Sequence, residues 1–195
     1  MNSSQLRAVI SNTGPMISAL QCDRMHILRQ FYDVIHIPAS ELPEYEKHGA
    51  GQEIQALIES GFIVVHDDLT ASEKEAAQAI AEEISTSPVS RDKEPSHHYP
   101  EAEALVLMGR TDLEAMELLV DELAAREVAQ RQGVAIVGFP GILIRACKQG
   151  LMTPEEVRDA LQECQRQGTH YSIQFIEEIY DRLRRFRHEQ AVRTP

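Results

Sequence analysis

Side chains that carry oxygen ligands follow the ends of apolar segments at several points in this 195-residue chain. Asn12 follows the apolar run at 6–11, and Asp121 follows the run at 118–120 with Glu122 beside it. Further glutamates stand after Pro38 and at the start of a later helical pattern: Glu41, Glu44 and Glu46, then Glu101 and Glu103. Amide and carboxylate oxygens are the ligands that Mg²⁺ or Mn²⁺ prefers, and a metal held there could activate a water to attack a phosphodiester.

Each of these positions also has a purely structural explanation. The helix dipole alone favours a glutamate in the first turn of a helix, which accounts for Glu101 and Glu103. An aspartate at the end of a strand often caps the following helix, which accounts for Asp121. Spacing by itself leaves both explanations open.

Strand and helix patterns alternate along the chain. Short apolar runs predict five strands, at 6–11, 34–37, 62–65, 118–120 and 134–137. The intervening segments predict helices, with a break at Gly49–Gly51 and a capping box from Thr70 to Glu73. Apolar strands that alternate with helices predict a parallel sheet covered on both faces. The expected fold is therefore α/β, a three-layer α/β/α sandwich with added C-terminal helices.

The carboxyl ends of parallel strands are where ligands bind in such sheets. If the first and fourth strands are neighbours, Asn12, Asp121 and a glutamate from each of two helices converge. Residues 85–98 contain two prolines and almost no apolar side chain, which predicts a mobile surface loop. We expect one domain over 1–150 that contains this insertion, and a helical extension over 151–195 packed on it.

Composition limits the classes of function. The chain has 31 acidic and 19 basic residues, a net charge of −12, so non-specific binding to phosphate backbones is excluded. Charge is uneven, since residues 67–122 hold 15 acids and four bases while the last 15 residues have a net charge of +3. No apolar run approaches the ~20 residues of a membrane span. Three dispersed cysteines and the lack of a signal-peptide pattern predict a cytoplasmic protein.

Four segments, in this order, resemble the PIN-domain superfamily: VISNTGPMISAL at 9–20, IPASELPE at 37–44, YPEAEALVL at 99–107 and LLVDELAAREVAQRQGVAIVG at 118–138. The motif NTGPMI is most similar to that of small VapC-like proteins, which open with Asp/Asn-Ser/Thr-x-Pro-Leu-Ile. The stretch after Gly138 and the closing helices are similar to the same group. The resemblance covers nearly the whole chain except 85–98.

This resemblance implies a ribonuclease that depends on Mg²⁺ or Mn²⁺, of a kind often found as a toxin neutralised by an antitoxin protein. It places the four acidic positions of the family on Asn12, Glu44, Glu101 and Asp121, with Glu122 assisting. The implied partners are an RNA substrate and an antitoxin. We also expect a homodimer and no association with a membrane.

Two departures from the family pattern favour an alternative. Asn12 stands where most active PIN nucleases have Asp, which keeps an oxygen ligand but removes a charge. No further acid follows the fifth strand, at Val137–Gly141. The alternative is a catalytically weak or inactive PIN-fold module with a binding or regulatory role.

Other candidate residues carry less weight. His97 and His98 are adjacent, so their side chains diverge in most backbone conformations and do not favour a shared metal. A receiver-type phosphoacceptor site at 66–68 lacks a suitably placed lysine. Bases that could line an RNA groove, or simply form the polar faces of helices, are Arg110, Arg126, Arg131, Arg145, Lys148 and the C-terminal arginines.

Overall fold

One parallel sheet organises the protein, whose structure is a computed structural model that describes residues 6–193. Its strands are β1 (Ala8–Ser11), β2 (Val34–Pro38), β3 (Ile63–His66), β4 (Leu118–Leu119) and β5 (Ile136–Val137). They pair in the order β3-β2-β1-β4-β5. Ile10 of β1 lies opposite His36 on one side and Leu118 on the other. The first and fourth strands are therefore neighbours, as the convergence of the predicted site requires.

Burial of both sheet faces explains the apolar strands. All four residues of β1 are buried, and successive side chains of a strand point to opposite faces. Leu118 and Leu119 of β4 are buried as well. The predicted α/β fold, with its central parallel sheet and PIN-like sandwich arrangement, is confirmed.

The helices follow the predicted pattern. They are α1 (Thr13–Gln21), α2 (Met25–Phe31), α3 (Leu42–Lys47), α4 (Gly51–Glu59), α5 (Ala71–Thr86), α6 (Tyr99–Leu107), α7 (Leu123–Arg131), α8 (Phe139–Lys148), α9 (Pro154–Arg166) and α10 (Ile173–Arg193). The capping box predicted at Thr70 is present, since its hydroxyl accepts from the Glu73 N–H while the Glu73 carboxylate accepts from the Thr70 N–H. Thr153 and Glu156 form a second capping box at the start of α9. Short 3₁₀ turns occur at Ala39–Glu41, Pro95–His98 and Thr111–Leu113.

The described chain divides into two compact units, of which the first extends to Ile17 and resumes over Phe31–Gly138. It contains the whole sheet and one large apolar core, in which Ile10, Leu118 and Val120 pack with the buried faces of α5, α6 and α7. Many of the helix residues in this core are alanines, such as Ala77 of α5, and small side chains let helices approach closely.

The second unit comprises Ser18–Gln30 and the described residues from Phe139 onward. Helix α9 buries Val157, Leu161 and Cys164, the face that its sequence pattern predicts. Helix α10 buries Ile176, Ile179 and Leu183 at helical spacing. The predicted domain boundary after residue 150, the mobility of 85–98 and the packing of the extension stay predictions.

Helices of membrane-spanning length and hydropathy are not found in residues 6–193.

Candidate metal centre

The carboxyl edge of the sheet carries the predicted polar residues on four separate elements. Asn12 lies between β1 and α1, and Asp121 follows β4 by two residues. Glu41 ends the 3₁₀ turn that directly follows β2, and Glu101 lies in the first turn of α6. Because β1 pairs with both β2 and β4, the loops after these three strands are neighbours.

Asn12 and Asp121 face the same small residue, Gly14. A Cβ atom built on Gly14 would lie 3.9 Å from Asn12 Oδ1 and 4.0 Å from Asp121 Oδ2. Asn12 is buried, and its Oδ1 atom has no hydrogen-bond partner. The structure thus brings the amide oxygen and the carboxylate to one place, as the spacing predicts.

Asp121 is confined on its other side by Gly138. A Cβ atom built on Gly138 would collide with Asp121 Oδ1 and would lie 2.8 Å from Arg126 Nη1. The same Arg126 nitrogen donates to the Val120 carbonyl at 2.8 Å. A glycine is therefore needed at 138, because any side chain there would displace the carboxylate or the guanidinium.

Glu41 is the acidic residue most completely removed from solvent. It is fully buried, and its Oε1 atom has no hydrogen-bond partner, while Oε2 accepts from the Tyr45 hydroxyl at 3.4 Å. Burial raises the pKa of Glu41 well above its ordinary value, and the neighbouring charge of Glu101 acts in the same direction. A hydrogen bond from Thr13 partly opposes this shift.

Glu101 shares the same environment. Burial raises the pKa of Glu101 to about 7, and the like charges of Glu44 and Glu122 add to the shift. Its Oε2 atom is buried without a hydrogen-bond partner. Glu101 in turn raises the pKa of Glu41, and Glu44 raises the pKa of both residues.

Two other predicted ligands have different surroundings. The Glu44 side chain is 47% exposed, and its Oε1 lies 3.6 Å from His48 Nε2. Glu122 accepts a hydrogen bond from the Ala125 N–H and so caps α7. The capping role that the sequence allowed for Asp121 thus belongs to its neighbour.

Sequence reasoning included Glu41 among the candidates but carried the second acidic position over to Glu44. The signal that distinguishes them is distance from the strand, since Glu41 comes three residues after Pro38, the last residue of β2. Glu103, the other glutamate of α6, accepts a hydrogen bond from the Ser40 hydroxyl. His97 pairs with Asp92 at 2.8 Å, and His98 is buried beside Ser90.

The donor atoms fit a hard divalent cation. Within the described part of the chain, four buried side-chain nitrogen or oxygen atoms lack a hydrogen-bond partner, and three are Asn12 Oδ1, Glu41 Oε1 and Glu101 Oε2. No three His, Cys, Asp or Glu side chains among residues 6–193 are already grouped as ligands. Mg²⁺ does not require such a group, because it keeps several waters and binds through one or two carboxylates.

The fold and this acidic edge define a nuclease-type α/β protein. The family model described as "DUF3368: PIN domain" matches residues 8–185, and the chain belongs to this family of PIN domains. Neither the curated proteins nor the solved structures contain a match to the chain. The family match confirms the predicted membership of the PIN-domain superfamily. PIN domains generally use divalent metals, whereas the ligands named for this chain stay predictions.

In the metal-free protein we expect Glu101 to titrate at about pH 7 rather than at its ordinary 4.5. Between pH 4.5 and about 7 the folded protein keeps a proton on Glu101 that the unfolded chain has lost. The free energy of unfolding should therefore fall as the pH rises from 4.5 to about 7. Carboxyl ¹³C NMR measures the midpoint directly. Glu44→Gln removes a like charge and should lower that midpoint.

Glu46→Gln is the matched control, since Glu46 is an exposed residue of the same helix, α3. It should leave the midpoint of Glu101 unchanged. A parent protein in which Glu101 titrates at its ordinary pKa would contradict the burial and the mutual repulsion described above.

Proposed function

We propose that this protein is a metal-dependent endoribonuclease that hydrolyses RNA phosphodiester bonds. One observation carries the proposal: three unpartnered buried oxygens, from Asn12, Glu41 and Glu101, lie at the carboxyl edge of the sheet. Leaving buried acceptors without partners costs about 1–3 kcal/mol each, and a cation bound at this edge would relieve that cost. A family whose members generally use divalent metals supplies the chemistry of that ligand.

We propose that Asn12 and one or two of the carboxylates of Glu41, Glu101 and Asp121 hold the Mg²⁺ or Mn²⁺ ion. When bound, the ion supplies an activated water and stabilises negative charge on the phosphodiester. Glu41 takes the position that sequence reasoning gave to Glu44, because Glu41 is buried and Glu44 faces His48. Glu44 remains a candidate ligand. Glu122 orders the loop beside Asp121 through its cap on α7.

The raised pKa values couple binding of the ion to loss of protons. With a pKa of about 7, Glu101 is partly protonated at neutral pH, and binding of the ion would release that proton. The Thr13 hydrogen bond favours the ionised form of Glu41 and so opposes the effect of burial. Thr13 is thus proposed to hold the Glu41 carboxylate ready to act as a ligand.

Asn12 favours a second candidate function, a PIN-fold binding or regulatory module without catalysis. An amide at this position supplies an oxygen but no charge, so the attraction for a divalent cation is weaker than with aspartate. The same buried oxygens would then bind a metal or polar partner without turnover. Cleavage activity separates the two candidates.

Cleavage of single-stranded RNA in Mn²⁺ should be lowered about 100-fold or more by Glu41→Gln, Glu101→Gln or Asp121→Asn, because each removes a charged ligand. Asn12→Asp should raise activity by restoring a charge. Glu44→Gln should have a smaller effect than Glu41→Gln. Rates are measured on one labelled RNA, with Glu46→Gln as the surface control expected to match the parent.

If the parent and the Asn12→Asp variant are both inactive, the nuclease proposal fails and the binding module replaces it. Equal cleavage by the parent and Asp121→Asn would reveal a contaminating nuclease, which also removes support for the proposal. If Glu46→Gln lowers the cleavage rate as much as Glu41→Gln or Glu101→Gln does, the loss of activity does not depend on the buried oxygens.

We further propose that the protein acts as the toxin of a toxin–antitoxin pair and forms a homodimer. The support is the similarity of NTGPMI, at 12–17, to the opening motif of VapC-like proteins. Induced expression should arrest bacterial growth, Asp121→Asn should not, and co-expression of a small helical protein from the neighbouring gene should restore growth. Unimpaired growth with the parent would contradict the toxin role, and a monomer by light scattering would contradict the dimer.

A further inference from the structure

Acidic and basic residues are divided unequally between the two compact units. The first unit, 1–17 with 31–138, contains 22 Asp or Glu and eight Lys or Arg. The second unit, 18–30 with 139–195, contains nine Asp or Glu and 11 Lys or Arg. The first unit therefore has a net charge of −14 and the second a net charge of +2, which together give the −12 of the chain.

Several bases of the first unit are engaged by acids. Arg110 pairs with Glu73 at 2.7 Å and with Asp68 at 2.9 Å. Arg131 pairs with Glu83 at 2.7 Å. Arg110 and Arg131, two of the bases considered for an RNA groove, are thus already neutralised.

In the second unit, arginines gather around one tyrosine of α10. The Arg158 guanidinium lies 4.3 Å from the centre of the Tyr180 ring, and the Arg184 guanidinium lies 5.6 Å from it. Arg187 follows Arg184 by three residues on α10, so it lies on the same side of the helix. We name Arg158, Arg184 and Arg187 the arginine cluster.

These cations are little neutralised. Arg184 and Arg187 are exposed and have no ion-pair partner in the described part of the chain. Arg158 is 31% exposed and lies 3.8 Å from Asp159, while its Nε atom is buried without a hydrogen-bond partner. Glu155 accepts from the Tyr180 hydroxyl at 3.0 Å. Hydrogen bonds from its own N–H and from Tyr180 lower the pKa of Glu155, and the charges of Arg184 and Arg158 act in the same direction.

The exposed face of α10 continues beside the cluster. Asp181, Arg184, Arg185, His188 and Glu189 line a shallow, solvent-open surface there. Arg184 therefore belongs both to the contact with the Tyr180 ring and to this face. The face carries two acids as well as its two arginines.

We propose that the arginine cluster is a docking surface for the phosphate backbone of single-stranded RNA, an inference that rests on the nuclease function proposed above. Guanidinium groups bind phosphate oxygens through paired N–H donors, and their flat faces also stack on unpaired bases. Contact with the Tyr180 ring holds Arg158 and Arg184 in place, so less side-chain freedom is lost on binding. The surface gives an acidic protein a local means of holding its substrate.

The experiment measures binding of a labelled single-stranded RNA by fluorescence anisotropy in EDTA, so that no metal-dependent cleavage occurs. The triple variant Arg158→Gln, Arg184→Gln, Arg187→Gln should weaken binding about tenfold or more. Loss of three phosphate contacts should also reduce the slope of log affinity against log salt by about 2. Circular dichroism checks that the triple variant is folded. The single variant Arg184→Gln, at an exposed residue, should weaken RNA binding less than the triple variant does.

The control triple Arg7→Gln, Lys74→Gln, Arg131→Gln removes the same number of positive charges from the first unit. It should bind RNA as the parent does. Equal loss in both triples would show a non-specific effect of net charge, and unchanged binding in the cluster triple would overturn the proposal. Binding of an acidic peptide with no measurable binding of RNA would overturn it as well.

Failure of this inference can be told apart from failure of the nuclease proposal. A parent that binds RNA through the cluster but cleaves nothing in Mn²⁺ supports the docking surface and overturns the proposed catalysis. A cluster triple that binds and cleaves RNA like the parent overturns the docking surface alone.

Discussion

Mutual repulsion of buried carboxylates is the constraint on which the rest of this structure depends. Glu41 is fully buried, and Glu101 is close enough to raise the pKa of Glu41 further. Two adjacent buried charges are costly unless they are protonated or a cation lies between them. At neutral pH these carboxyl groups are therefore expected to hold protons unless a cation neutralises them. The repulsion thus connects the stability of the fold with its proposed chemistry.

The fold provides this arrangement through the order of its strands. With β1 between β2 and β4, the loops that carry Asn12, Glu41 and Asp121 emerge side by side. Gly14 and Gly138 leave space around Asp121, where a Cβ atom at Gly138 would collide with its carboxylate. The large apolar core of the first unit offsets the cost of burying polar groups at this edge. The proposed metal site and the apolar core are in this sense two consequences of the same topology.

Much of this architecture could be predicted because it depends on local patterns. Apolar runs predict the strands. Thr70 and Thr153 predict the starts of two helices, because each forms a capping box with a glutamate three residues later. The choice between Glu41 and Glu44 depends instead on a 3₁₀ turn that precedes α3, and this turn decides which side chain points inward. Nor does spacing show that Glu122, rather than Asp121, caps α7. Both outcomes depend on the backbone conformation of a few residues between a strand and a helix, and residue types alone do not specify that conformation.

The central claim is that Glu41 and Glu101 hold protons because burial and mutual repulsion raise their pKa values, and that a bound cation displaces those protons. Proton release on metal binding tests this claim most directly. Isothermal titration calorimetry of Mn²⁺ at about pH 7, the pKa of Glu101, in two buffers of different ionisation enthalpy, counts the protons released per ion. We predict that the parent releases protons, that Glu101→Gln and Glu41→Gln each release fewer, and that Glu46→Gln matches the parent. Absence of Mn²⁺ binding, or binding with the same proton count in all four proteins, would contradict the account.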